Sequence, residues 1–421
     1  MRSKEQWGES MSELIRQAKQ RIRQVRRRVV EVVVTKDGLP VENARVGLRM
    51  KQHEFLFGCN CFSATTFDTP EKEQRYARLF GGIFNYGTLP FYWGSYEPTQ
   101  YQYNEPRLSN QVQWTRDMGI RSKGHPLIWH EVVPKWLTDE HDVQALEIER
   151  VRNIMEKYAH RVDFWDLNNE TTVNHRFDNP ITHWIDRVGP MNMMKLIGGV
   201  AREYNPDIRL LYNDFNVHGE EFTNFLQEMR DNDVEVYGIG IQSHMHSRRW
   251  SFEETEEKME RTAAFGWPIH FTECTVLSGR CANPDGTVNF GAGSNRNLWN
   301  EPEDMLYDQA EYTRDLYTLI YSHPAAEALT WWDFEDHKWL NAPCGLITDT
   351  VYPKPVYYEL EKLIKGEWWT NVELCTGSAG NAKTCAFCGS YDIEVTVDGE
   401  TKVFPAEVSV KGGDIRVEAK F

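Results

Sequence analysis

The sequence predicts an α/β chain: a (β/α)8 TIM barrel, with a small β-sandwich-like accessory domain built from both chain ends. Three observations predict it. Eight short apolar segments between residues 55 and 332 alternate with helix-length stretches. Polar and aromatic residues gather at the C-terminal end of nearly every segment. Both chain termini read as alternating strands, too few at either end for an independent sandwich.

Residues 1–28 read as a helix, with Met11, Leu14, Ile15, Ala18 and Ile22 at helical spacing. The arginines at 26–28 are expected to be a solvated helix end, because the chain as a whole is acidic. Val29–Val34 is a strand run, Lys36–Pro40 a turn, and Ala44–Met50 alternates like a strand with one buried face. The C-terminal tail has the same pattern. Tyr391–Val397 alternates, Asp398-Gly399 marks a tight turn, and strands at 402–404 and 415–419 follow. The expected domains are therefore a helix at 1–28, an accessory β domain from 29–52 plus 366–421, and the catalytic barrel at 53–365.

The barrel strands are expected at 55–58, 86–89, 121–125, 162–166, 208–212, 236–241, 269–272 and 328–332. Helices are expected between them at 145–160, 191–204, 220–232, 252–265 and 305–322.

A chain of 421 residues with 40% hydrophobic content can bury such a barrel. Its net charge of −16 argues against nucleic acid and suits a neutral substrate. Aromatic content is 13%, with 15 Trp; more than half are expected in packing, and the rest offer flat faces for sugars. No apolar run is long enough to span a membrane. The N-terminus lacks an apolar signal core, so two locations stay open: secretion or the periplasm, with a leader missing from this sequence, and the cytoplasm. The eight Cys include Cys385-Ala386-Phe387-Cys388, but no second such pair and no His at ligand spacing follow. Disulfides or buried thiols are expected rather than a metal site.

The chemistry lies at the strand ends, where barrels of this kind carry their sites. Trp165–Glu170 and Ile269–Glu273 each end in a carboxylate. Two carboxylates facing one another across a cleft are the groups that break a glycosidic bond. Glu170, among aromatics and near a second carboxylate, is expected to have a raised pKa and to act as general acid/base. Glu273 is the expected nucleophile, kept ionised by donors such as His244. Asn169 can donate to the sugar 2-hydroxyl. His125, Gln242, Trp332 and Trp339 are expected to shape the sugar pocket, with Trp129 beside His125.

These motifs resemble glycoside hydrolase family 10, the endo-1,4-β-xylanase family. The resemblance spans about 53–360. It rests on Gly124-His125-Pro126-Leu127-Ile128-Trp129-His130, Asn169-Glu170, Tyr212-Asn213-Asp214-Phe215-Asn216, Gly238 to His244, Thr272-Glu273, and Trp332 through Trp339 to Pro353-Lys354-Pro355. It implies retaining hydrolysis of xylan or a related plant cell-wall β-glycan, without a cofactor, with Glu170 as acid/base and Glu273 as nucleophile. One stretch departs. Where the family carries a Glu-Asn pair and then a Lys that bonds the non-reducing-side sugars, this chain has Thr88, Leu89 and Tyr92. An apolar, aromatic wall is expected there, and with it a decorated xylan or another β-glycan as substrate, or weak binding of xylan on that side. Two further classes compete. A silent carbohydrate-binding barrel is disfavoured by the presence of both Glu170 and Glu273. A metal hydrolase using His125, His130, His244 and His246 is disfavoured because strand one ends in Cys59-Asn60-Cys61 rather than a His pair.

Overall fold

The computed structural model describes residues 4–291 and 294–421. The chain divides into two compact units. The larger holds Gly58–Thr313 and Ala325–Tyr357; the smaller holds the chain up to Phe57, Arg314–Pro324 and Tyr358–Phe421.

Eight strands, numbered one to eight in chain order, close into a barrel. They are Leu56–Asn60, Tyr86–Pro90, Arg121–His125, Phe164–Asn169, Arg209–Asp214, Gly238–Met245, Ile269–Val276 and Ala326–Trp331. Each expected segment contributes a strand. Strands four and seven are buried along their whole length, as a barrel covered on both faces requires. Four of the helices start where polar side chains satisfy free backbone donors. Thr69 caps Pro70–Ile83, Asp142 caps Val143–Tyr158 and Ser251 caps Phe252–Ala263. Asn179 and Thr182 form a reciprocal capping box on Pro180–Val188.

The smaller unit contains two sheets. Arg27–Lys36 pairs antiparallel with Asn381–Phe387 on one edge and parallel with Ile415–Lys420 on the other. Arg45–His53 lies between Asn371–Cys375 and Gly389–Val397, and Glu400–Val408 closes that sheet. Val30, Val32 and Val34 from the first sheet meet Val46, Leu48 and Ile393 from the second in one apolar cluster. Each such side chain contributes about 1.5–3 kcal/mol by leaving water. The sheets need strands from both chain ends, so neither end has a complete core alone.

The arginine run is not a solvated helix end. The N-terminal helix spans Lys4–Val25, and Arg27 and Arg28 open the first strand; residues 1–3 of the expected helix lie outside the described residues. Arg26 is 4% exposed. Its guanidinium donates to the carbonyl oxygens of Tyr321 (2.7 Å) and His323 (2.8 Å) and lies over the rings of Phe55 and Tyr321. Those carbonyls stand at the C-terminal end of the helix Glu303–Ser322, where acceptors are left over and a cation is favoured. The cysteines are all free thiols, so the disulfide expectation is not met; Cys59, Cys61, Cys274, Cys344 and Cys388 are buried thiols, whereas Cys281 is half-buried and Cys375 and Cys385 are exposed.

Close packing fixes one glycine beside the cleft. A Cβ on Gly124 would stand 2.3 Å from ring carbons of Trp165, itself fully buried. Gly124→Ala should lower stability by roughly 1–3 kcal/mol, read as an earlier urea midpoint with an unchanged slope.

Candidate active site

Strands four and seven carry their carboxylates past irregularities. Register slips between Asp166 and Asn168 on strand four, and between Phe271 and Glu273 on strand seven. Such bulges re-aim side chains beside active sites. Glu170 also has φ 62° and ψ 35°, a left-handed backbone that costs a side-chain-bearing residue about 1–2 kcal/mol. Its N–H donates to the Asn213 carbonyl at 2.8 Å, which holds the turn.

Three amides connect the two carboxyl groups. Gln242 Nε2 donates to Glu170 Oε1 (2.8 Å) and to Asn169 Oδ1 (3.1 Å). Asn213 Nδ2 donates to the same Asn169 oxygen and to Glu273 Oε1, both at 2.7 Å. Trp129 Nε1 donates to Glu170 Oε2 (2.9 Å), and His244 Nε2 bonds Glu273 Oε2 (3.0 Å). Asn169 Nδ2 is buried and has no protein acceptor.

The two carboxyls are 8% and 3% exposed, yet their protonation diverges. Burial pushes Glu170 up to about 8, and the charge of Glu273 adds to it against the bonds from Gln242 and Trp129. Burial also opposes the charge on Glu273. The electrostatic pull of His125, the bond and pull of His244, and the charge of Lys123 outweigh it, and hold Glu273 below the usual carboxylate range. His125 is fixed by Asp166, which accepts from His125 Nδ1 at 2.6 Å and pairs with the fully buried Lys123 at 2.7 Å. His125 Nε2 then stands 4.0 Å from Glu273 Oε1.

The catalytic candidates lie in one cleft of about 1320 Å³. Glu170, Glu273, Asn169, Gln242, His125 and His244 form its floor. Tyr92, Trp129, Trp332 and Trp339 add aromatic walls to the same cleft. The Tyr92 ring meets His125 edge-on at 5.5 Å, and Trp339 lies 4.6 Å from His244. Of the departing stretch, only Tyr92 reaches the cleft. Thr88 and Leu89 are fully buried within strand two and line nothing. The expected wall is therefore a single ring with a phenol.

The four histidines weighed as ligands do not converge. His125 and His244 are bonded to carboxylates, His130 packs 4.2 Å from Phe177, and His246 packs against Trp339. Among the described residues, the grouping that could offer three metal donors is His130, Glu131 and Glu170, within 4.8 Å of one another.

Sequence reasoning missed two buried polar groups in this cleft, Asn60 and Asp333. They stand at the ends of strands one and eight, so the rule that located the others could have found them. The rest of the lining mixes rings, Phe62, Phe177, Phe215, Trp250 and Phe290, with polar groups that include Arg107, Glu131, Arg176, His218 and Lys338.

Known proteins resemble this chain in sequence or in fold. Endo-1,4-beta-xylanase B of Thermotoga neapolitana is 28% identical over 65% of this chain and 78% of its own length. Anti-sigma-I factor RsgI6 of Acetivibrio thermocellus is 23% identical over 92% of this chain, which spans 47% of that protein. The crystal structure of xylanase 10B from Thermotoga petrophila RKU-1 in complex with xylobiose shares the fold. Its TM-score is 0.60 at 22% identity, covering 75% of this chain and 95% of that one. The model of glycosyl hydrolase family 10 matches residues 50–363, from the last accessory strand before the barrel to the helix after it, and the chain belongs to that family.

Proposed function

We propose that this chain is a retaining endo-acting hydrolase of β-1,4-xylosidic bonds in xylan or decorated xylan. The observation that carries the reading is the split environment of the two buried carboxyls: Glu170 is held neutral by burial and by Glu273, and Glu273 is held charged by His125, His244 and Lys123. A proton donor and an anionic nucleophile then coexist near neutral pH.

In the first step Glu273 attacks the anomeric carbon while Glu170 gives its proton to the leaving oxygen. The leaving chain departs and a glycosyl ester on Glu273 remains. In the second step the Glu170 carboxylate takes a proton from water, the water attacks the same carbon, and Glu273 is released. The unpartnered N–H of Asn169 is the group suited to donate to the 2-hydroxyl of the attacked sugar. The cleft continues on both sides of the pair, from Ser63 and Thr66 at one end to Phe215 and Trp250 at the other, which suits cutting inside a chain. Tyr92 in the wall favours a second reading for the substrate, another β-glycan, which the same machinery would cut.

Three outcomes test this. On a panel of plant polysaccharides, release of reducing ends should be greatest on a xylan, and proton NMR should show the β-anomer formed first. An α-anomer first product would remove Glu273 as nucleophile.

Glu273→Ala should reduce all substrates to background. Glu170→Ala should cost about 10²–10⁴-fold on xylan and far less in the first step on nitrophenyl glycosides, whose leaving groups need no proton. Equal losses on both would remove Glu170 as acid. In the wild type, kcat/KM should fall as pH rises through about 8, because Glu170 must be protonated to act. It should fall on the acid side only below the usual Glu range, as Glu273 gains its proton. The alkaline limb should vanish in Glu170→Ala on nitrophenyl substrates.

Treatment with a chelator should leave the rate unchanged. A loss restored by a divalent ion would instead assign a metal to His130, Glu131 and Glu170.

A further inference from the structure

The cleft holds a third buried carboxyl that this chemistry does not use. Asp333 follows strand eight directly after Trp332, is 3% exposed and lines the cleft. Its carboxyl bonds the Asn60 side chain and accepts from Cys344 Sγ at 3.5 Å. Asn60, at the end of strand one, is 5% exposed and lines the same cleft. No cation among the described residues forms an ion pair with Asp333. A buried carboxyl without a cation costs the fold several kcal/mol at about neutral pH, and a neighbouring amide and thiol offset only part of that.

The position along the cleft follows from its ring contacts. His125 and His244 stand at Glu273. Trp332 meets both, at 5.3 and 5.8 Å. Phe62 meets Trp332 at 5.4 Å and Tyr92 at 5.9 Å, edge-on in each case. Asn60 lies two residues before Phe62 and Asp333 directly after Trp332, and all four line the cleft. The order outward from Glu273 is thus His125 and His244, then Trp332 and Tyr92, then Phe62 with the Asn60–Asp333 pair. That path runs over strands eight, one and two, away from Glu170 on strand four. The leaving chain must lie on the side of the proton donor. The chain that stays bonded to Glu273 therefore extends along the opposite path.

We propose that Asp333 and Asn60 bind the second sugar of the retained chain, reading a free pair of neighbouring hydroxyls on a pyranose ring. The proposal rests on the hydrolase reading above. A carboxyl and an amide side by side offer an acceptor pair and a donor at one spacing, which a vicinal diol matches. Thr88 and Leu89 are buried, and Tyr92 offers one hydroxyl. The buried polar groups on this wing are Asn60 and Asp333, while Ser63, Thr66, Arg107 and Lys338 line the same cleft closer to solvent.

The test compares two chromogenic substrates that differ by one sugar. Nitrophenyl β-xyloside fills the first retained site; nitrophenyl β-xylobioside fills both. The readout is the kcat/KM advantage of the disaccharide over the monosaccharide, measured for wild type, Asp333→Asn, Asp333→Ala and Asn60→Ala. Each variant should shrink that advantage about tenfold, mainly through KM, as expected for losing a hydrogen bond to a charged or buried group. An advantage that stays at the wild-type value overturns the proposal, including the case where both substrates lose activity equally. Asp333→Asn keeps the side-chain shape, so it decides the matter if the alanine variant does not fold. The hydrolase reading fails separately, in the wild type, when neither substrate nor any polysaccharide of the panel is cut.

Discussion

The side-chain amide of Asn213 is the joint on which the cleft turns. Its nitrogen donates at 2.7 Å to both Asn169 and Glu273, and its oxygen accepts from Thr272 at 2.5 Å. An amide bonded at both ends cannot rotate without breaking all three contacts. It therefore fixes Glu273 on strand seven against Asn169 on strand four, and through Gln242 it reaches Glu170. This network carries no charge. It sets the spacing of the two carboxyls and leaves their ionisation to other groups. Glu170 receives only neutral donors, Gln242 and Trp129, and these do not overcome burial. Glu273 has His125, His244 and Lys123 around it, and they do. The difference between the two carboxyls lies in the electrostatic pull of these groups on Glu273, to which the His244 bond adds.

Backbone packing lets that joint sit where it does. A Cβ on Gly240 would stand 2.4 Å from Asn213 Oδ1, so strand six needs a glycine for the amide to lie against it. Strand three likewise uses Gly124 to admit the Trp165 ring, one residue before His125. Lys123, two residues before His125 on the same strand, is buried and neutralised by Asp166. Asp166 binds both, so one carboxylate orients the imidazole and compensates the ammonium. Breaking the Lys123–Asp166 pair would leave a buried charge uncompensated, at a cost of about 3–5 kcal/mol. The left-handed backbone at Glu170 is tolerable in such a frame, because Asn213 and the carboxyl's own bonds determine its position.

Much of this was legible in the sequence, and the exceptions have physical causes. The eight strands stand out because short apolar runs alternate with amphipathic helices. Glu170 and Glu273 stand out because the ends of such strands face one side of the barrel. The facing of Thr88 and Leu89 was not legible. Barrel strands are buried on both faces, so strand two shows no alternation from which to tell the cleft from the wall. Arg26 was misread for a related reason. A charge run looks solvated unless its acceptors are known, and the Tyr321 and His323 carbonyls are nearly 300 residues away in the chain. Asn60 and Asp333 were overlooked beside more conspicuous neighbours, Cys59 and Cys61 on one strand and paired Trp on the other.

The two wings of the cleft differ in kind. On the side of strands eight, one and two, Asn60, Ser63 and Asp333 give directional polar groups next to Phe62 and Trp332. On the side of strands four to seven, Phe177, Phe215, Trp250 and Phe290 line the cleft together with the exposed Arg176 and His218. Stacking on rings holds a sugar face with little regard to its orientation in the plane, whereas hydrogen bonds to buried groups fix both position and rotation. Double displacement makes unequal demands on the two sides. The departing chain must be held only until its bond breaks, and tight binding beyond that point slows release. The retained chain must keep its anomeric carbon aligned with Glu273 through two steps and the exchange of a leaving group for water. Buried polar groups on one side, Asn60 and Asp333, and solvent-exposed ones among rings on the other match those demands under the proposed assignment of sides.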